Sequence, residues 1–187
     1  MSGDNKETLV RREYIQSRTL NIEQFVERLQ DYNAGVYRCS EAELPPTIAH
    51  AMIVRGKNAL VIPPAFPAEW LPAGKSFVRD HGLTYTELDQ AEGALTGCTV
   101  AISFTASIVL THSAHEGRRA LTLIPDYHLC IVRMDQVVET VPEGIRALRE
   151  FRTRPITTIA GPSATADIEM TRVKGVHGPR TLDVILV

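Results

Sequence analysis

A chain of 187 residues with 20 Lys and Arg against 22 Asp and Glu carries a formal charge of -2 and lacks the basic footprint of a nucleic-acid binder. Its 44% hydrophobic and 22% charged residues exclude a disordered or fibrous chain and allow an ordinary buried core. No apolar run approaches the ~20 residues that cross a bilayer, and the polar stretch 1–6 lacks a signal peptide's apolar centre, so no membrane span and a cytoplasmic location are expected.

Residues 1–20 are polar and charged, with Arg11, Arg12 and Arg18 among few apolar positions, and read as an arm or exposed helix ahead of a single domain over 21–187. Asn21 then caps a helix with Gln24 in the capping-box position, and Ile22, Phe25, Val26 and Leu29 recur at helical spacing. Gly35 is expected to stop that helix and 36–39 to form a short strand. Pro45 and Pro46 are expected to precede a helix over about 47–55, which Gly56 ends. The apolar run 59–62, closed by Pro63 and Pro64, reads as a buried parallel strand followed by a loop carrying Phe66 and Trp70.

Further along, 88–94 reads as a short helix, and 98–103, 108–111, 120–124 and 128–134 read as strands crowded enough to imply some antiparallel pairing. Pro142 opens a helix with Ile145 and Leu148 on one face, and 156–160 and 182–187 complete the strands. Alternating helices and strands predict an α/β fold, a mixed sheet in a three-layer-like arrangement with flanking helices, and ligands at loops beyond the strand ends.

Residues 161–179, between the last two strands, carry the densest chemistry. Gly161, Pro162, Ser163, Gly175 and Gly178 set unusual backbone angles, while Thr165, Asp167, Glu169 and His177 crowd hydroxyl, carboxylate and imidazole groups beside them. Turn punctuation and helix capping is one reading of this pattern. A ligand loop is the other. In that case amides around 161–163 and the Arg180 guanidinium take the carboxylate of a small anion, and His177 is the catalytic candidate, accepting a hydroxyl proton with a gain of ~10²- to 10⁴-fold. The alternative for His177 is structural, with its ring bonded to Asp167 or a loop carbonyl.

The His112, His115 and Glu116 cluster is not the His-Glu-x-x-His zinc arrangement and reads as a solvated loop without metal. Cys39, Cys98 and Cys130 are odd in number and widely separated, as reduced thiols are, and lack the clustering that an iron-sulfur centre or structural zinc requires. No Gly-x-Gly-x-x-Gly fingerprint or P-loop is present. The expectation is a chain that binds no cofactor itself, with any cluster held by a partner.

Gly161-Pro162-Ser163, Thr165-Ala166-Asp167-Ile168-Glu169 and Gly175-Val176-His177-Gly178-Pro179, supported by Thr96-Gly97-Cys98 and by Leu121-Thr122-Leu123-Ile124-Pro125 through His128, resemble the lactate-utilization protein C (LutC/YkgG) family of LUD-domain proteins. The resemblance covers most of the chain. It implies the α/β fold of glucosamine-phosphate isomerase, ribose-phosphate isomerase and CoA transferases. It also implies a place in oxidation of L-lactate to pyruvate, as the cluster-free subunit beside iron-sulfur and cysteine-rich protein partners. His128 follows the family pattern, with core hydrogen bonding and ligand contact both open. One segment departs from it: where the family usually shows Ala-Ile-Ala-Glu-Thr-Gly-Thr, this chain has Ala101-Ile102-Ser103-Phe104-Thr105-Ala106-Ser107. Thr105 and Ser107 keep hydroxyls for a ligand, whereas Phe104 replaces a carboxylate and Ala106 a glycine. Two other functions stay open: a stand-alone enzyme or binder for a sugar phosphate, acyl-CoA or folate-like anion, and a structural scaffold.

Overall fold

The computed structural model describes residues 19–166, 172–174 and 178–187. In chain order these form α1 (Ile22–Asp31), β1 (Gly35–Arg38), α2 (Leu44–Val54), β2 (Ala59–Ile62), β3 (Ser76–Arg79), α3 (Tyr85–Asp89), β4 (Ala94–Thr96), β5 (Val100–Ile102), β6 (Ser107–Leu110), α4 (Arg119–Leu123), β7 (Tyr127–Val132), β8 (Val137–Val138), α5 (Val141–Ala147), β9 (Thr157–Ile159), β10 (Ala164–Ala166), β11 (Arg172–Lys174) and β12 (Thr181–Leu186).

The fold is α/β. Strands β1, β12, β7, β4, β2 and β3, in that order, pair in parallel into a six-stranded sheet. A second, four-stranded sheet runs β8, β5, β6, β9 and holds the antiparallel pairing that the crowded strands imply, between β5 and β6 and between β6 and β9. Strands β10 and β11 form a separate antiparallel pair.

Side chains alternate across a strand, and β7 shows what that does here. Tyr127, Leu129 and Ile131 point to one face, where they join Leu60, Ile62 and Leu95 beneath Ile48 and Met52 of α2. Cys130 and Val132 point to the other, packing with Val184 against Phe25 and Leu29 of α1 and against Ala101 and Ile108 of the second sheet. The parallel sheet is thus the central layer. Leu88 of α3 and Leu121 of α4 cover Val61 and Ala94 on its remaining surface. Among the described residues no helix is long and apolar enough to cross a membrane, and the three cysteines are free thiols. Cys98 is held well above the usual thiol range, first by its hydrogen bond with the Cys130 thiol and then by burial, so it is not a ready nucleophile.

Several local expectations are corrected. Residues 120–124 belong largely to α4, not to a strand, with the Ile124 N–H donating to the Ala120 carbonyl at 3.0 Å; a run this short shows no period that separates helix from strand. Helix α1 ends before Gly35, at a turn where Asn33 takes the left-handed conformation (φ 65°). Gly35 instead begins β1, directly opposite Asp183 of β12, and an added Cβ would overlap the Asp183 carboxylate. Pro45 and Pro46 sit inside the first turn of α2, where missing N–H groups cost nothing. The helix placed over 88–94 is Tyr85–Asp89, and Ala94 already begins β4. In α5, Ile145 is 61% exposed. The helix rests on the second sheet through Gly144, whose added Cβ would lie 2.7 Å from Ile102 Cδ1, while Leu148 packs with Val100, Ile102 and Val109.

Candidate functional site

Register places the site. Leu182 of β12 pairs with His128 of β7, so both side chains emerge on the same face near the start of their strands. Helix α4 delivers Thr122 and Leu123 beside them, and β9 and the chain leaving it pass over through Thr157, Thr158, Ile159, Ala160, Gly161, Pro162 and Ser163. Two chain passes are pinned together where the Ser163 N–H donates to the Pro179 carbonyl at 2.8 Å. The space enclosed by these segments and Gly178 is about 250 Å³.

Gly161, Pro162, Ser163 and Gly178 therefore line one cavity, as the loop reading requires. Two of the three positions expected to form an anion cradle at 161–163 offer no free amide. Pro162 has no N–H, and that of Ser163 is already spent on Pro179. Arg180 is elsewhere too: its guanidinium forks onto Asp126, with Nε at 2.9 Å from Oδ1, beside a different cavity that it shares with Arg55 and Lys57. Thr105 and Ser107 do not line the cavity; Thr105 Oγ1 is buried without a partner among the described residues, and Ser107 is buried at the start of β6. Thr165 lies in β10, paired with Val173 of β11. Asp167, Glu169, Gly175 and His177 lie outside the described residues.

Gly161 fixes the cavity wall. It has φ 84°, and an added Cβ would come within 2.5 Å of Tyr32 Cβ. Gly161→Ala combines a left-handed alanine with a clash, and we expect a loss of about 2 kcal/mol in urea denaturation. A melt identical to the parent's would show that the Tyr32 contact yields freely.

His128, for which core hydrogen bonding and ligand contact are both open in the sequence, lines this cavity. It is completely buried, and burial pushes its pKa down to about 4. Its Nε2 lies 2.8 Å from Thr96 Oγ1, and Thr96 in turn donates to the Gly97 carbonyl at 2.9 Å. Nδ1 is buried and has no partner among the described residues. The signal available in sequence was a lone histidine at the head of an apolar strand, Tyr127-His128-Leu129-Cys130-Ile131-Val132.

The segment that departs from the family pattern serves to dock α1. Ser103 Oγ donates to the Asn21 carbonyl at 2.6 Å, the buried Glu139 carboxylate accepts the Asn21 N–H at 3.0 Å, and Arg28 lies 4.7 Å above the Phe104 ring. Ala106 is left-handed, with φ 48° and ψ 38°, and its methyl is buried. In Ala106→Gly the relief of about 1 kcal/mol in strain is offset by a lost buried methyl of about 0.8 kcal/mol and a freer unfolded chain. Stability should stay within about 1 kcal/mol of the parent, and a larger gain would mean that the methyl packs poorly.

The His112, His115 and Glu116 loop is not simply solvated. Glu116 is fully buried and accepts from the N–H groups of Thr111 and Ser113, at 2.8 and 2.9 Å, and from the Thr99 hydroxyl at 2.5 Å. Both ring nitrogens of His112 are bonded, to the Gly117 carbonyl and the Thr157 hydroxyl, which ties this loop to β9. The carboxylate organises a turn because the amides it accepts from are close in sequence.

This arrangement has relatives. The sequence model of the LUD domain matches residues 22–187. The chain is 49% identical over 174 residues to lactate utilization protein C of Deinococcus radiodurans, an alignment that covers 91% of this chain and 81% of that protein. It is 30% identical over 128 residues to lactate utilization protein C of Bacillus velezensis, covering 65% of this chain and 53% of that one. In three dimensions it is similar to the crystal structure of a DUF162 family protein from Deinococcus radiodurans, with a TM-score of 0.78 and 42% identity over 90% of this chain and 99% of the other. Sequence agreement from α1 to β12 and agreement in fold lead to one conclusion: the chain belongs to the LUD domain family.

Proposed function

We propose that this protein works in lactate utilization, in the cytoplasm, as the ligand-holding subunit of an assembly that oxidises L-lactate to pyruvate, with residues 21–187 acting as one unit behind the arm 1–20. The observation that carries this reading is the 49% identity, over nearly the whole chain, to a protein named lactate utilization protein C. A small cavity lined by hydroxyls, an imidazole and backbone supports a subunit that holds a small polar substrate. Oxidation of lactate releases two electrons and two protons. In this reading the electrons pass to iron-sulfur and cysteine-rich partner subunits, consistent with cysteines too dispersed here for a cluster motif.

Anoxic affinity purification from the native host, with the co-purifying chains identified and their iron measured, tests the assembly. A stoichiometric iron-sulfur partner is the expected result, and recovery of this chain alone and iron-free would overturn the subunit assignment. Growth on L-lactate after deletion of the gene tests the pathway, and undiminished growth would remove the lactate role itself.

A further inference from the structure

We propose that the cavity beside His128 takes a small 2-hydroxy acid, and that His128 Nδ1 accepts the hydrogen bond from its hydroxyl. This deepens the reading above and rests on it for the substrate class.

Proton counting fixes the state of the ring. Thr96 has a single hydroxyl proton, and the Gly97 carbonyl 2.9 Å away, which can only accept, takes it. The contact of 2.8 Å between Thr96 Oγ1 and His128 Nε2 then needs the ring to donate. With its proton on Nε2, a neutral imidazole presents a bare lone pair at Nδ1. Burial keeps the ring neutral at physiological pH.

That lone pair is buried and has no partner among the described residues, while the ring it belongs to lines the cavity. Buried polar atoms are nearly always satisfied, so an orphan beside an open space calls for a donor from a ligand. The volume of about 250 Å³ is below the ~300–1,000 Å³ of drug-sized sites and suits a metabolite of few atoms. The neighbouring Thr122, Thr158 and Ser163 are polar enough to orient one.

An obligate acceptor has a chemical consequence. The hydroxyl of a 2-hydroxy acid can donate to Nδ1, whereas the keto oxygen of the corresponding 2-oxo acid and the methylene of a simple carboxylic acid cannot. The site would retain the reduced acid and release the oxidised one. His128 is thereby a positioning residue on the substrate hydroxyl, a place that the sequence reading gave to His177.

The test uses the full-length chain labelled with ¹⁵N-histidine. Long-range proton–nitrogen spectra at pH 7 should show His128 protonated on Nε2 and bare on Nδ1. L-lactate should move the Nδ1 resonance saturably, and propionate and pyruvate should not. The affinity preference for lactate over propionate should be about fivefold, the effect of one neutral hydrogen bond. His128→Gln keeps an amide donor toward Thr96 and leaves no acceptor at the Nδ1 position, its own carbonyl branching to the other side, so it should fold and lose that preference. A proton found on Nδ1, absence of saturable lactate binding, equal affinity for lactate and propionate, or a preference that survives in the glutamine variant would each overturn the proposal. None of these touches the lactate role, which the deletion strain judges separately.

Discussion

Replacing Arg55 with alanine lowers the stability of the fold by about 3 kcal/mol, because it strands a buried carboxylate. Asp183 sits on β12, an interior strand of the parallel sheet, and is 0% exposed. Three bonds hold its charge there: Arg55 Nε at 2.9 Å, Arg55 Nη2 at 2.5 Å and the Tyr127 hydroxyl at 3.0 Å. The fork matches the carboxylate plane and donates two charge-assisted bonds at once. Burial, and then the neighbouring Asp183 charge, push the Tyr127 phenol up, so it stays a donor throughout the accessible pH range. Without Arg55 only the Tyr127 hydroxyl remains. Because the Arg55 side chain is itself 34% exposed, its removal admits some water, which places the loss at the lower end of the range for broken buried pairs.

The sign of a second substitution tests this account. In the parent chain, Asp183→Asn should destabilise by about 1.5 kcal/mol by turning charge-assisted bonds into neutral ones. With Arg55 already alanine, the same change removes an unpaired buried charge and should stabilise. Urea denaturation of the four chains at constant m gives the coupling directly. If Asp183→Asn destabilises equally in both backgrounds, the pair is not what holds the strand centre. The same carboxylate explains why β1 begins with Gly35, since any side chain there would press on Asp183.

What the sequence shows and what it hides divide along physical lines. Helix α1 is legible because cap and apolar spacing agree and both are local: Asn21 Oδ1 accepts from the Gln24 N–H at 3.0 Å, and Phe25 and Leu29 are buried. Strand β2 is legible because a short apolar run closed by two prolines has few other uses. Strand β3 escaped notice, since Ser76-Phe77-Val78-Arg79 lies at the sheet edge and alternates between exposed and half-buried positions without a strongly apolar face. The cavity loop was found from its glycines and prolines, yet the roles of its groups depend on partners distant in sequence. Asp126 takes Arg180 from 54 residues away, and Pro179 takes the Ser163 amide. Composition cannot reveal that a donor is already spent. Asp183 and His128 share one faint signature, a polar residue inside an apolar strand, and sequence alone does not say whether such a residue is bonded on every side or left one lone pair short.

Acidification should weaken this protein before its carboxylates titrate, and His128 should be the cause. The imidazole has a pKa near 4 in the folded chain, from burial, against an ordinary value of about 6.5 when unfolded. The folded value is the lower one, so the neutral ring is favoured by folding, and stability is highest above about pH 6.5. As pH falls through that value, the unfolded chain takes up a proton that the folded chain refuses. Stability is then lost progressively between about pH 6.5 and 4, to a total of about 3 kcal/mol. Carboxylates held below their ordinary values, such as Glu43, Glu87 and Glu143 in their capping turns and Asp80 beside Arg118, contribute losses only at lower pH. The interval from pH 6.5 to about 4.5 therefore isolates the histidine. Urea midpoints measured across that interval should fall steeply in the parent and stay nearly flat in His128→Gln, which cannot titrate. Equal slopes in the two chains would show that His128 takes up its proton while folded.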